Sequence, residues 1–241
     1  MKALVVGGSS GIGLSLVLEL LKKSDLLQVY VLDKNPFPSQ YMCPEISFVS
    51  YDLTDLNLED VLSRFDDIQM LYITAGFGHL RHFQDFDEKY IRDSFVVNAL
   101  APILIIKHFY KRMLDTQPFY CAVMVSISGR LNSPLFSIYS ATKSAVSKFI
   151  EAINVELEMQ GSPNKVLEVS PGKIEGTGFY GETSDPSRTS ELAQQIIVRS
   201  ENRELLYIPH YEEIFRNVIE RYNADPHQFG MDSYKYKQNR K

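Results

Sequence analysis

Along this chain, short unbroken runs of apolar residues alternate with longer stretches of helical periodicity. Ala3-Leu4-Val5-Val6 is apolar without interruption, as a strand buried on both faces must be. The turn Gly7-Gly8-Ser9-Ser10-Gly11-Ile12-Gly13 follows, then an amphipathic helix through about Lys23. Further strands are predicted at Val29 to Leu32, ending on Asp33, at Ile46 to Ser50, and at Ile68 to Ile73, closing on Thr74-Ala75-Gly76. Asp52-Leu53-Thr54-Asp55 and a short helix near Leu58 to Phe65 separate the last two. A long helix spans roughly Glu88 to Leu114. Cys121 to Val125 is a fifth strand leading to Ser126, and the helix carrying Tyr139 runs to about Met159. Lys165 to Val169 is a sixth strand, followed by Pro171-Gly172. Thr177 to Ser190, rich in Gly, Ser, Thr and Pro, reads as a mobile loop. A helix at Glu191 to Ser200, a strand at Leu205 to Ile208 and a helix at Tyr211 to Tyr222 complete the pattern, leaving 223–241 as a loosely held tail. Alternating strands and helices predict a doubly wound α/β fold, a parallel sheet covered on both faces, in one domain over residues 1–241.

Composition narrows the function classes. The chain has 241 residues, 44% hydrophobic and 23% charged, enough to bury a substantial single core. A net charge of −5 gives no reason to expect nucleic acid or an anionic membrane surface as partner. The basic stretch from Lys235 to Lys241 is read as a solvated end. Cys43 and Cys121 make neither a disulfide framework nor a metal cluster, and each is read as a small apolar residue. His79, His82, His108, His210 and His227 lack zinc-ligand spacing, so no metal is expected. The strand starting at Ala3 leaves no room for a signal peptide. The most apolar run, Ala99 to Ile106, falls far short of the ~20 residues of a membrane span. A reducing, cytoplasmic setting is the expectation.

Candidate chemistry centres on Tyr139 and Lys143, four positions apart and therefore stacked on one helix face. An ammonium beside a phenol favours the phenolate, bringing the tyrosine toward working pH and fitting it to pass a proton. Ser126, at the end of an apolar strand, lies where open α/β sheets place ligands. The glycine turn also has a physical task. Gly7 allows the tight turn out of the strand, Gly11 lets backbone approach a pyrophosphate, and Gly13 lets helix and strand pack closely. Free N–H groups of Ser9, Ser10, Gly11 and Ile12 at a helix start attract phosphate. Asp33, 20 residues beyond Gly13, stands where a carboxylate holds a ribose 2′-hydroxyl, the alternative being a turn-forming Asp.

Taken together, these segments resemble the short-chain dehydrogenase/reductase family from residue 3 to about 178. Val6-Gly7-Gly8-Ser9-Ser10-Gly11-Ile12-Gly13 is similar to its Thr-Gly-Ala-Ser-Ser-Gly-Ile-Gly coenzyme turn. Asp52-Leu53 stands where the family surrounds adenine, and Ala75-Gly76 keeps half of its Asn-Asn-Ala-Gly. Asn98 in Val97-Asn98-Ala99 matches its helix asparagine, and Pro171-Gly172 its turn beside the nicotinamide. Ser126 precedes Tyr139 by the family's 13 positions, and Tyr139-Ser140-Ala141-Thr142-Lys143 resembles Tyr-Ser-Ala-Ser-Lys. The resemblance implies a Rossmann-type sheet and an NAD(P)-dependent oxidoreductase that interconverts an alcohol and a carbonyl. Tyr139 is then the acid/base and Lys143 its partner, also bonding the nicotinamide ribose; Ser126 holds the substrate oxygen, and Asn98 anchors a water linking Lys143 to solvent.

The sequence departs from the pattern in four places. Val6 replaces the usual Thr, Ile73-Thr74 replaces the two amides, Thr177 is displaced by one position, and the glycine-rich end of many members is missing. Leu205-Leu206-Tyr207-Ile208-Pro209 instead resembles the tails of relatives acting on larger, hydrophobic carbonyls. Asp33 would repel a 2′-phosphate and favours NAD, whereas Lys34 would pair with it. With no basic residue in the glycine turn, NAD is the expectation and NADP the alternative. The expected partner is a small alcohol or carbonyl, met by the loops Arg130 to Ser137 and Thr177 to Ser190. Phe136, Phe179 and Tyr180 are either pocket walls or loop anchors. The resemblance also implies a homodimer or homotetramer through the two long helices. The competing reading is a catalytically silent dinucleotide sensor or scaffold of the same fold; a sugar-nucleotide epimerase is disfavoured by the glycine spacing.

Overall fold

Seven strands, all parallel, form one sheet in the order β3-β2-β1-β4-β5-β6-β7. The computed structural model describes residues 1–180 and 183–238; the side chain of Tyr180, whose expected pocket role therefore goes unassessed, and residues 181, 182 and 239–241 lie outside the described residues. The strands are β1 (Lys2–Val6), β2 (Gln28–Asp33), β3 (Ile46–Ser50), β4 (Met70–Ile73), β5 (Tyr120–Met124), β6 (Val166–Val169) and β7 (Leu206–Tyr207). Between and after them run α1 (Gly11–Leu20), α2 (Glu59–Leu62), α3 (Glu88–Phe95), α4 (Ala101–Leu114), α5 (Ser137–Met159), α6 (Pro186–Glu201), α7 (Arg216–Ala224) and α8 (Pro226–Gln238).

The apolar runs explain the layers. Leu4, Val6, Leu71, Ile73, Cys121 and Val123 meet Leu62, Phe65, Ile105, Phe109 and Ile150 on one face of the sheet. The alternate residues Ala3, Val5, Met70, Tyr72 and Leu167 meet Leu16, Val17, Leu20, Ile196 and Ile197 on the other. Successive strand residues point to opposite faces, so continuous apolar runs are what a sheet covered twice requires. The register then places the site. Val6 pairs with Leu32 and Ile73, so Gly7, Asp33 and Thr74 emerge from one end of the sheet together. Met124 pairs with Val169, bringing Ser126 beside Pro171 at the same end. The chain leaves β1 toward β2 and β3, then returns to β4 on the other side. That reversal opens a crevice at the carboxyl ends of β1 and β4.

Three stretches differ from the sequence expectation. The loop expected over 177–190 ends early, because α6 begins at Pro186 with Asp185 capping the Ser187 N–H. The expected tail folds as α8 over 226–238, started by Asp225, whose carboxylate accepts the Gln228 N–H at 2.9 Å. The rod from Glu88 to Leu114 is continuous but contains a π-helical turn at Val96–Leu100.

Candidate active site

At the end of β1, Gly7 (φ +86°) and Gly11 (φ +52°) adopt left-handed backbone that favours glycine. Gly13 is restricted by space instead. A Cβ there would lie 2.0 Å from the Gly7 carbonyl oxygen and 2.5 Å from Thr74 Oγ1. Thr74 Oγ1 lies 3.0 and 3.1 Å from the Val6 and Gly7 carbonyl oxygens, to which it donates. Thr74, directly after β4 and one of the departures from the family pattern, thus ties that strand end to the glycine turn. Asp33 accepts the Ser9 N–H at 3.0 Å and the Asn35 N–H at 2.9 Å, which fastens the glycine turn to the end of β2. At the first turn of α1, the Gly11 N–H donates to Ser184 Oγ at 2.7 Å. That main-chain donor is thus committed to a side-chain hydroxyl, which a phosphate oxygen would have to displace.

Across the crevice, β5 delivers Ser126, whose Oγ accepts the Ser128 N–H at 3.1 Å and approaches the Pro171 carbonyl at 3.5 Å. Helix α5 carries Tyr139 and Lys143 on one face, with Lys143 Nζ 5.7 Å from the Tyr139 ring centre. Both are buried, at 9% and 3% exposure. Burial pushes the Lys143 ammonium down to about 8, while its Nζ donates to the Met124 carbonyl at 2.8 Å. Asn98 sits in the π-helical turn. Its Oδ1 accepts the Phe77 N–H at 2.9 Å, and its Nδ2 donates to the Phe77 carbonyl at 2.8 Å and to Thr142 Oγ1 at 3.3 Å. A Cβ on Gly76 would meet Asn98 Oδ1 at 3.1 Å and Lys143 Nζ at 3.3 Å, so one narrow space separates these two groups.

These walls enclose a cleft of about 470 Å³. At one end it is lined by Gly7, Ser10, Gly11, Ile12 and Gly13, and beside them by Asp33, Lys34, Asp52 and Leu53. At the other end stand Ser126, Tyr139 and Lys143 with Pro171 and Gly172, and Ala75 and Gly76 lie on the same wall. Ser9 and Asn98, also expected at the site, do not line it. The Ser9 N–H and hydroxyl are committed to Asp33 and to the Asn35 carbonyl, and Asn98 is committed to Phe77. The Asp52 carboxyl is held below its usual range by the Thr54 main-chain N–H, then by the Thr54 hydroxyl and the charge of Lys34.

The Tyr139 end is aromatic. Phe136 and Phe179 lie 4.5 and 5.2 Å from the Tyr139 ring, centre to centre, so both are pocket walls. Gly78 lies so close that a Cβ would sit 2.6 Å from Tyr139 Cδ2. From α8, Lys237 donates to Ser133 Oγ at 2.6 Å and the Pro134 carbonyl at 3.0 Å, tying that helix to the loop before α5. Sequence reasoning missed Thr74, Gly78 and Lys237. The glycine punctuation of Ala75-Gly76-Phe77-Gly78 was the available signal for the second; the first and third act across long separations that no local pattern reveals. Among the described residues, no group of three or more His, Cys, Asp or Glu could hold a metal, and no helix is long and apolar enough to cross a membrane.

The fold and the crevice define a class, a doubly wound α/β protein with a phosphate-type helix terminus facing a Ser-Tyr-Lys set. The family model described as short chain dehydrogenase matches residues 1–187, and the chain belongs to that family of oxidoreductases. It is 28% identical over 232 residues to an uncharacterized oxidoreductase of Saccharomyces cerevisiae, covering 87% of this chain and 74% of the relative. It is also 29% identical over 181 residues to an uncharacterized short-chain type dehydrogenase/reductase of Sinorhizobium fredii, covering 74% and 71%. Among solved structures, a short chain dehydrogenase of Burkholderia cenocepacia in complex with NADP aligns with a TM-score of 0.78 at 20% identity, covering 96% of both chains. A short-chain dehydrogenase of Streptomyces avermitilis aligns at 0.77 and 22% identity, covering 98% and 99%. The fold is therefore the family's Rossmann-type sheet.

Proposed function

We propose that this chain is an NAD(P)-dependent oxidoreductase that interconverts an alcohol and a ketone or aldehyde. The observation that carries the reading is that Ser126, Tyr139 and Lys143 line one end of a cleft whose other end is the glycine turn. A pure binding module has no use for a proton-transfer set at that end.

The residues present fit a nicotinamide dinucleotide. Gly11 and its neighbours would hold the pyrophosphate on the N-terminus of α1, Asp33 and Lys34 the adenosine ribose, Asp52 and Leu53 the adenine, and Pro171-Gly172 the nicotinamide side. When bound, the dinucleotide supplies or accepts the hydride. The chain supplies position and proton traffic. Tyr139 moves the proton at the substrate oxygen, and Ser126 Oγ hydrogen-bonds that oxygen as charge develops on it. Lys143 would bond the nicotinamide ribose and, when protonated, would stabilise the Tyr139 phenolate. With its ammonium pushed down to about 8 by burial, it exchanges its proton close to neutral pH. Asn98 fixes the Phe77 backbone beside Lys143 and would hold the water that reconnects Lys143 with solvent. Asp33 favours NAD; NADP, present in the Burkholderia cenocepacia structure, is the alternative.

The aromatic walls around Tyr139 suit a small carbonyl or alcohol with an apolar body. Exposed Phe95, Leu100, Val155 and Met159 on α3, α5 and the turn between α3 and α4 support pairing of two or four copies through these helices. The free cysteines Cys43 and Cys121 suit a reducing, cytoplasmic setting.

The test is a fluorescence titration with NADH and with NADPH, followed by turnover of a carbonyl panel by the wild type and Tyr139→Phe. Dinucleotide affinity should stay within about twofold while kcat falls on the order of 10²–10⁴-fold, the range expected for loss of an acid/base group. Undiminished turnover would remove Tyr139 from the mechanism. Binding without any turnover would leave a silent dinucleotide sensor.

A further inference from the structure

Every residue of β6 is buried, yet one of them is a glutamate. Strands buried on both faces are apolar, and an isolated carboxylate there is strongly unfavourable unless it is paired and hydrogen-bonded. Glu168, 1% exposed, is fully answered. Its Oε1 accepts Arg130 Nε at 2.9 Å and Ser170 Oγ at 2.6 Å. Its Oε2 accepts Arg130 Nη2 at 2.8 Å and Ser147 Oγ at 2.9 Å. Four donors meet the four acceptor positions of one carboxylate.

We propose that Arg130 and Glu168 form a buried positioning pair that holds the Ser126 loop, the Tyr139–Lys143 helix and the Pro171–Gly172 turn in one fixed relation. The proposal rests on the oxidoreductase reading above. Each donor belongs to a segment that carries a site residue. Arg130 follows the tight turn Ile127–Gly129 that begins at Ser126, Ser147 lies one helical turn beyond Lys143 on α5, and Ser170 directly precedes Pro171. The same three segments are joined by other bonds. The Ile127 N–H donates to the Pro171 carbonyl at 3.0 Å, Ser144 Oγ donates to the Gly129 carbonyl at 2.6 Å, and Ser140 Oγ donates to the Ser128 carbonyl. Gly129 rests on α5 so tightly that a Cβ would lie 2.8 Å from the Lys143 carbonyl carbon. The outer side of Arg130 also faces Glu151, at 3.5 Å.

Stability alone does not call for this pair. Apolar residues of similar volume in place of a buried ion pair are often as stable or more so. What they lack is direction, because a bidentate guanidinium–carboxylate fork fixes both the distance and the angle between the segments it joins. Arg130 and Glu168 touch neither the cleft nor any reacting atom, so they are positioning residues.

The experiment compares Arg130→Met, Glu168→Met, the double variant and Arg130→Lys in the full chain. Three readouts are taken: the urea midpoint, the emission of bound NADH, and kcat and KM for reduction of 4-nitrobenzaldehyde. Each single Met variant should lose stability, since one buried charge is left unanswered. The double variant should regain the wild-type midpoint, yet keep a kcat lowered on the order of tenfold to a hundredfold, as expected when reacting groups are misplaced by a fraction of an ångström to one ångström. Its KM should change by less than about twofold, and the emission of bound NADH should shift as the Pro171–Gly172 side is released. Arg130→Lys, which keeps the charge without the fork, should give an intermediate kcat. A double variant with both wild-type kcat and wild-type emission would overturn the proposal. If the wild type binds NADH but reduces no carbonyl, the oxidoreductase reading fails, and the emission of the double variant alone decides whether the pair positions the site.

Discussion

Replacing Lys143 by Met should make the dinucleotide-free protein more stable at neutral pH while abolishing turnover. Burial lowers the ammonium from its ordinary 10.5 to about 8. At about 1.4 kcal/mol per pH unit, holding the charged form in the folded protein costs about 3 kcal/mol. The sign follows from proton counting. Below pH 8 both folded and unfolded chains carry the proton, so the whole cost is present. Between about 8 and 10.5 the unfolded chain binds more protons than the folded one, and stability rises with pH. Above 10.5 both forms are neutral and the cost is gone. Methionine removes the charge at similar length, but forfeits the 2.8 Å bond to the Met124 carbonyl, worth about 1 kcal/mol. The net expectation is stabilisation of about 2 kcal/mol at pH 6.5, shrinking steadily as pH rises past 8 and turning slightly negative above 10.5.

Urea unfolding followed by circular dichroism, on wild type and Lys143→Met at pH 6.5, 8 and 9.5 without dinucleotide, reads this directly. A variant that is less stable than wild type at pH 6.5, or whose advantage is the same at all three pH values, would refute the argument that an under-compensated buried charge sits at position 143. Added dinucleotide should narrow the gap, because it stabilises the wild type that retains its ribose partner.

Two further changes probe the other end of the cleft. Gly13→Ala should lower stability by roughly 1–3 kcal/mol and weaken NADH binding, since its Cβ would sit 2.0 Å from the Gly7 carbonyl oxygen; wild-type urea midpoint and affinity would refute this close packing of the turn. Asp33→Asn keeps an acceptor for only one of the Ser9 and Asn35 N–H groups and removes the charge, and should move the NADPH-to-NADH affinity ratio up by about tenfold in a fluorescence titration. An unchanged ratio would mean that Lys34, rather than Asp33, sets cofactor choice.

Where the sequence was legible, the signals were local. Ala3 to Val6, Cys121 to Val125 and the Tyr139–Lys143 spacing each lie within a few residues, and each foretold an element or a shared face that the fold contains. One missed helix, α8, and the early start of another, α6, share one overlooked local signal. Asp185-Pro186 and Asp225-Pro226 both place a capping carboxylate before a proline at the first helical position, and their Oδ1 atoms accept the N–H groups of Ser187 and Gln228. The polar composition around them pointed to a loop and a tail, and composition outweighed the cap. Ser9 bonds Asp33 and the Asn35 carbonyl for a different reason. A serine in a glycine turn is equally suited to face a phosphate or to fasten the turn, and the choice depends on Asp33 and Asn35, which only the fold brings near.

The remaining features of the site were illegible because they pair residues far apart in the chain. Asn98 holds Phe77, Glu168 holds Arg130, and Lys143 reaches Met124; none of these pairings has a periodicity to betray it. The three also divide the work. A carboxylate met by four donors and an amide clamped on a peptide from both sides are fixed joints, whose loss shows as misalignment. On the proposed function, an ammonium with three N–H groups, buried beside Tyr139 and pushed down to about 8, would act as a mobile proton store. The pH profile of kcat separates the two kinds of residue. Arg130 and Glu168 variants should lower its height and leave its inflections in place, whereas Lys143→Met should abolish turnover at every pH.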